Sequence, residues 1–75
     1  MNLSDKNFLH DLGYRLRERR LARRWTQAEL AAKCDLHRTF IGSVERGERN
    51  VSILNLRLIA KVLRVSPADL LDELA

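Results

Sequence analysis

Apolar residues recur along this 75-residue chain at spacings of three and four and never in sustained alternation, so the pattern predicts helices and no strands. The first stripe is Phe8, Leu9, Leu12, Leu16 and, less regularly, Leu21, with Arg and Glu filling the gaps from Arg15 to Arg24. Beyond it one local pattern occurs three times, as Trp25-Thr26-x-x-Glu29-Leu30, Val51-Ser52-x-x-Asn55-Leu56 and Val65-Ser66-x-x-Asp69-Leu70. In each copy the hydroxyl is placed to accept a hydrogen bond from a free backbone N–H of a first helical turn, and the flanking apolar pair has the spacing of a hydrophobic staple. Glu29 has the side chain that completes a capping box, and Pro67 stands at a first helical position, where a missing N–H costs nothing.

A further helix is required between Cys34 and Gly47, where Ile41 and Val44 form an apolar stripe and Gly47 is a natural left-handed stop after Arg46. Asp35 falls where the second helix must end, and a short polar side chain tolerates the left-handed conformation better than most. The reading is an all-α chain of five helices, at roughly 8–24, 27–34, 37–46, 53–63 and 67–74, forming one domain over 1–75. No internal boundary, linker or low-complexity stretch divides it.

Composition narrows the function. A chain this short has no room for a catalytic cleft between lobes, and it buries only about 60% of its unfolded surface. Its single cysteine, Cys34, makes neither an internal disulfide nor a zinc site, so it reads as a small buried hydrophobe. His10 and His37 are too far apart and too poorly partnered to suggest a metal site, and no cofactor is expected. No nucleophile with a base and an orienting group is visible, so the chain is not expected to be an enzyme. The net charge of +4 conceals a division: residues 1–64 carry +7, whereas 66–75 carry −3 from Asp69, Asp72 and Glu73. A basic body favours an anionic partner, and the acidic end is not expected to face the same one. With no secretory signal and no apolar run near the ~18–20 residues of a membrane span, the cytoplasm is the expected location.

A short helix, a turn of about three residues and a second helix is the layout of a helix-turn-helix. The run Trp25-Thr26-Gln27-Ala28-Glu29-Leu30-Ala31 followed by Ile41-Gly42-Ser43-Val44-Glu45-Arg46-Gly47 resembles the phage-repressor and Cro type of this motif, the XRE family. The strings Leu36-His37-Arg38-Thr39-Phe40-Ile41 and Glu45-Arg46-Gly47-Glu48-Arg49-Asn50-Val51-Ser52 look more narrowly like the controller proteins of restriction–modification systems. The resemblance covers nearly the whole chain. It implies a lambda-repressor-like DNA-binding domain with the motif at helices 2–3, acting on restriction and methyltransferase genes. Phe40 departs from the pattern, because such proteins often have Tyr there; packing or a thymine-methyl contact replaces any hydroxyl contact.

The residues support DNA binding independently. With Ile41 and Val44 facing inward, the third helix turns Arg38, Thr39, Gly42, Ser43 and Arg46 outward, a stripe small in the middle and basic at both ends. Such a surface fits a major groove about 12 Å wide. Arg38 is placed to donate two hydrogen bonds to a guanine, Thr39 and Ser43 to reach base edges or a thymine methyl, and His37 to meet base or phosphate. The competing reading is an ordinary solvated helix face. Gln27, at the start of the second helix, is a phosphate candidate, as the matching glutamine is in the resembled family; alternatively it is merely exposed. Arg46, Arg49 and Asn50 lie around Gly47 and are further phosphate candidates, although Asn50 could instead cap locally. The arginines of helix 1 cannot all face one side; most read as solvated, with Arg19 or Arg23 expected to approach phosphate. Glu45 is expected to pair with a nearby arginine.

Apolar residues cover well over half of helix 4, and helix 5 adds three leucines. A two-fold interface through Leu54, Leu58, Val62, Leu70, Leu71 and Leu74 explains this, as the resemblance also implies. The alternative is a central core helix with the tail packed back on it. The reading as a whole is a homodimeric, sequence-specific transcriptional regulator on a pseudo-palindromic operator. Its expected partners are double-stranded DNA and its own second copy, with RNA polymerase a further candidate. An antitoxin or protein-interaction adaptor with secondary DNA binding is the competing class.

Overall fold

The computed structural model describes residues 1–72, which form five helices: α1 (Leu3–Ala22), α2 (Gln27–Cys34), α3 (Arg38–Glu45), α4 (Ile53–Leu63) and α5 (Pro67–Leu71). The three helix starts read from the repeated pattern are all capped as expected, by Thr26, Ser52 and Ser66. Thr26 and Glu29 make a full capping box, with reciprocal bonds of 3.0 and 2.9 Å. Asp69 completes a second box with Ser66, although Glu is the usual residue at that position.

The largest differences from the sequence reading lie at two boundaries, the others agreeing to within two residues. Helix α1 begins five residues early, because the Asn2 side chain accepts from the Asp5 N–H at 2.8 Å and starts a turn that no apolar stripe announces. Helix α5 ends at Leu71, short of the expected 74, and Leu74 lies outside the described residues. Each of the first four helices is followed by a residue with positive φ: Arg24 (59°), Asp35 (55°), Gly47 (74°) and Arg64 (58°). At each, the next N–H closes back on a carbonyl five residues earlier, as Trp25 to Arg20 (3.3 Å) and Val65 to Ala60 (3.0 Å). Asp35 and Gly47 follow the expectation. Arg24 and Arg64 hold the left-handed conformation despite their Cβ, because these backbone bonds and the packing that follows require it.

The core consists of two buried groups joined through α4. Leu16, Leu30, Ala31, Cys34, Ile41, Val44, Ile59 and Leu63 bring α1, α2, α3 and α4 together. Leu9, Leu12, Leu56, Ala60 and Leu70 join the first half of α1 to α4 and α5. Leu58 and Val62 are half-buried against the first group, and Leu71 is half-buried against the second. Helix α4 is therefore the central core helix, and α5 packs back on it. This corrects the interface assignment of Leu70, which is fully buried within one copy and has no surface to offer another. What α4 leaves uncovered is its start, where Ile53 and Leu54 are 67% and 65% exposed.

Candidate nucleic-acid interface

Helices α2 and α3 are joined by Asp35, Leu36 and His37, and the left-handed Asp35 reverses the chain in the space of that turn. The far end of α3 is then pinned against α1. A Cβ on Gly13 would lie 2.5 Å from the Glu45 carbonyl oxygen and would also meet that of Val44, so only glycine allows the two backbones to touch. Opposite it, Gly47 combines its positive φ with an approach that would set a Cβ 2.8 Å from His10 Cα.

The same junction contains a buried ion pair. Arg20 Nε donates to Glu45 Oε2 at 2.7 Å, Nη2 donates to Oε1 at 2.9 Å, and Nη1 donates to the Trp25 carbonyl at 2.8 Å. The two residues are 7% and 8% exposed. Glu45 thus has the arginine partner expected of it. Hydrogen bonding to Glu45 raises the Arg20 pKa still further, so the guanidinium keeps its charge. Gln27 Nε2 also donates to Glu45 Oε1, at 3.0 Å, which ties the first residue of α2 to the last of α3.

On the open side of this junction, Gln27, Arg38, Thr39, Gly42 and Arg46 line one shallow depression. Gly42 is its floor: a Cβ there would stand 3.2 Å from Arg46 Nη1 and 3.3 Å from Gln27 Oε1, so the missing side chain lets these two groups converge. An adjoining depression is lined by Arg17, Arg20, Gln27, Glu45 and Arg46. Arg38 and Thr39 are exposed at the start of α3. His37 caps that start, its Nδ1 accepting from the Thr39 N–H at 3.2 Å. Ser43 gives its hydroxyl proton to the Phe40 carbonyl (2.8 Å) and accepts from Arg49 Nε (3.1 Å), which leaves it no proton for a base. Arg49 lies back along α3, its guanidinium 5.3 Å from the Phe40 ring centre. Arg46 is paired with Glu48 at 3.1 Å, with both side chains exposed.

Of the sequence candidates, then, Gln27, Arg38, Thr39 and Arg46 are brought together, with His37, Ser43 and Arg49 on the same helix or against it. Asn50 borders the start of α1, beside Met1, Asp5, Phe8 and Leu9. Arg19 and Arg23 are not brought to this face. Arg23 Nε donates to the Leu63 carbonyl at 3.1 Å and its guanidinium stacks on Trp25, while Arg19 lines hollows shared with α5 and with the turn that follows α4. The helix 1 arginine beside Gln27 and Arg46 is Arg17, which the sequence pattern alone leaves among the solvated ones. A signal for it exists: it lies one turn beyond Gly13 and one before Arg20, two residues of α1 that meet the Glu45 end of α3.

The helix-turn-helix family model HTH_3 matches residues 16–70. The chain belongs to this family. Among HTH_3 relatives, control protein C.BamHI of Bacillus amyloliquefaciens is 51% identical over 61 residues, covering 80% of this chain and 75% of its own. Control protein C.SmaI of Serratia marcescens is 50% identical over 48 residues, 64% of this chain and 57% of its own. The fold matches the restriction–modification controller protein C.AhdI of Aeromonas hydrophila with a TM-score of 0.80 at 44% identity, covering 83% of this chain and 94% of the other. It also matches C.Esp1396I, solved as a tetramer in complex with its natural 35 base-pair operator, with a TM-score of 0.76 at 38% identity over 84% of this chain and 83% of the other. As an HTH_3 domain the chain is all-helical, with its motif at α2 and α3. Among the described residues no helix is long and apolar enough to cross a membrane.

Proposed function

We propose that this protein is a sequence-specific DNA-binding transcriptional regulator of the restriction–modification controller type, working in the cytoplasm as a homodimer without a cofactor. The observation that carries the reading is the convergence of Gln27, Arg38, Thr39 and Arg46 on one depression across α2 and α3. Arg38 and Thr39 stand where the start of a recognition helix meets base edges, and Gln27 and Arg46 flank them as phosphate contacts. Arg17 and Arg49 extend the basic border, and Asn50 is a neutral phosphate candidate nearer the start of α1. The likeness to controller proteins, one of them solved on its operator, supports the same reading. Exposed Ile53 and Leu54, with Leu71, supply apolar surface for a second copy. A two-fold axis would then set two α3 helices on successive major-groove faces, about 34 Å apart, on a pseudo-palindromic site. Bound near a promoter, the dimer would block or recruit RNA polymerase according to where the operator lies.

Fluorescence anisotropy against the DNA upstream of its own gene and against a scrambled duplex, with sedimentation equilibrium, tests this. The expected result is a dimer that prefers its own upstream DNA by about a thousandfold or more at physiological salt. A monomer whose two affinities agree within a few-fold would sink the proposal.

A further inference from the structure

The four other described helices are capped by amide or hydroxyl side chains, those of Asn2, Thr26, Ser52 and Ser66. Only α3 starts on an imidazole. Its cap bond settles the tautomer: Nδ1 accepts from the Thr39 N–H, so Nδ1 carries no proton and the neutral ring is protonated at Nε2. The Thr39 hydroxyl lies 2.8 Å from the same Nδ1. Since that nitrogen has no hydrogen, Thr39 Oγ1–H is the donor, and the single Nδ1 lone pair is shared between this hydroxyl and the N–H, with the hydroxyl the nearer of the two. The hydroxyl proton of Thr39 is therefore committed inside the protein, and what remains for the groove is an oxygen that only accepts, together with a methyl group.

Resting on the DNA-binding reading above, we propose that His37 is a specificity-positioning residue: it makes Thr39 an acceptor-only reader that rejects guanine at the base it faces. In the major groove adenine and cytosine present an amino donor and thymine a methyl group, whereas guanine presents only the acceptors N7 and O6. An acceptor-only Thr39 meets the first two with a hydrogen bond and the third with a methyl contact. Against guanine it sets oxygen against oxygen, with the proton that would relieve the conflict held by His37. A threonine without this neighbour rotates its proton toward O6 or N7 and accepts all four bases. The residue that would contact the base is Thr39; His37 acts through it.

The test begins with duplexes selected by the full-length protein from a randomised library. The position read by Thr39 is the one whose base preference changes most in Thr39→Ala. At that position the wild-type protein is expected to bind guanine about tenfold or more weakly than the best base, the scale of one mismatch. His37→Ala should shrink that penalty to within about threefold, while His37→Asn, whose amide oxygen restores an acceptor at the cap, should return it. Thr39→Val, which keeps the methyl and loses the oxygen, should retain only a thymine preference. If His37→Ala weakens binding to all four bases by one common factor, His37 is merely a helix cap and the proposal is overturned. Tolerance of guanine at that position by the wild-type protein would overturn it equally. Failure of the DNA-binding reading looks different: selection then enriches no sequence at all.

Discussion

The two ends of α3 are built on opposite plans. Its far end is buried, with glycines letting α1 touch its backbone and a charged pair locking Glu45 to Arg20. Its near end is exposed, and its cap rests on the side chain of His37 alone. One end fixes where the helix lies, and the other leaves Arg38 and Thr39 open to solvent, as the proposed base contacts require. Rigid placement and readable chemistry are thus kept about two turns apart. The burial that gives the first would deny the second access to a partner.

Breaking the buried end should have the largest effect. Arg20→Met leaves the Glu45 carboxylate buried and unpaired, at a cost of about 3–5 kcal/mol in denaturant unfolding. The double variant Arg20→Met with Glu45→Leu should recover most of that loss, because two apolar side chains leave no uncompensated charge. A single variant that unfolds like the wild type would show that the pair is not what locks α3.

Gly13→Ala comes next. Its new Cβ runs into two backbone carbonyls, which cannot rotate away as a side chain would, so α3 has to shift outward. Overpacking of this kind costs about 1–3 kcal/mol, and the shift should weaken DNA binding beyond what the loss of stability explains. Anisotropy under conditions where the variant is fully folded separates the two contributions.

At the exposed end, Arg38→Ala should leave thermal stability within about 0.5 kcal/mol of the wild type, because the side chain supports nothing in the fold. It should instead relax discrimination at one symmetric base pair, by about 1–3 kcal/mol. Loss that is uniform across sequences would move Arg38 to the phosphate contacts.

The smallest effect concerns the other exposed helix start on this face, that of α2. Hydrogen bonds from Thr26, its backbone N–H first, hold the Glu29 carboxyl below its usual pKa. A depressed pKa means that the ionised form is the one the fold prefers. Its stabilisation is therefore complete above the ordinary Glu value and fades as pH falls through the lowered one. Glu29→Gln should remove that component of the acid dependence in thermal melts between pH 6 and about pH 3. An unchanged acid limb would show that the box contributes nothing measurable.

Much of this molecule is local in origin. Three helix starts, the left-handed Asp35 and Gly47, and the spacing of α2 and α3 are legible because caps, staples and turns act over no more than about five residues. Arg38, Thr39 and Gln27 are legible for the same reason, since each is defined by its place in a helix that the sequence marks out. The start of α1 is hidden because a single Asn cap far from the apolar stripe carries little signal. The left-handed Arg24 and Arg64 are hidden because arginine has no intrinsic preference for that conformation.

What the sequence determined by itself is the set of helices, the helix-turn-helix and the outward stripe of α3. Tertiary structure alone decided which of six similar arginines in Arg15–Arg24 is a buried strut (Arg20), which stands beside Gln27 and Arg46 (Arg17) and which are turned toward α4 and α5 (Arg23 and Arg19). It likewise decided that Leu70 belongs to the core, and that Ser43 has already committed its hydroxyl proton. The physical reason is range. Glu45 lies 25 residues from Arg20 and Leu63 lies 40 from Arg23, and no pattern within one helix records which distant carboxylate or carbonyl will meet it.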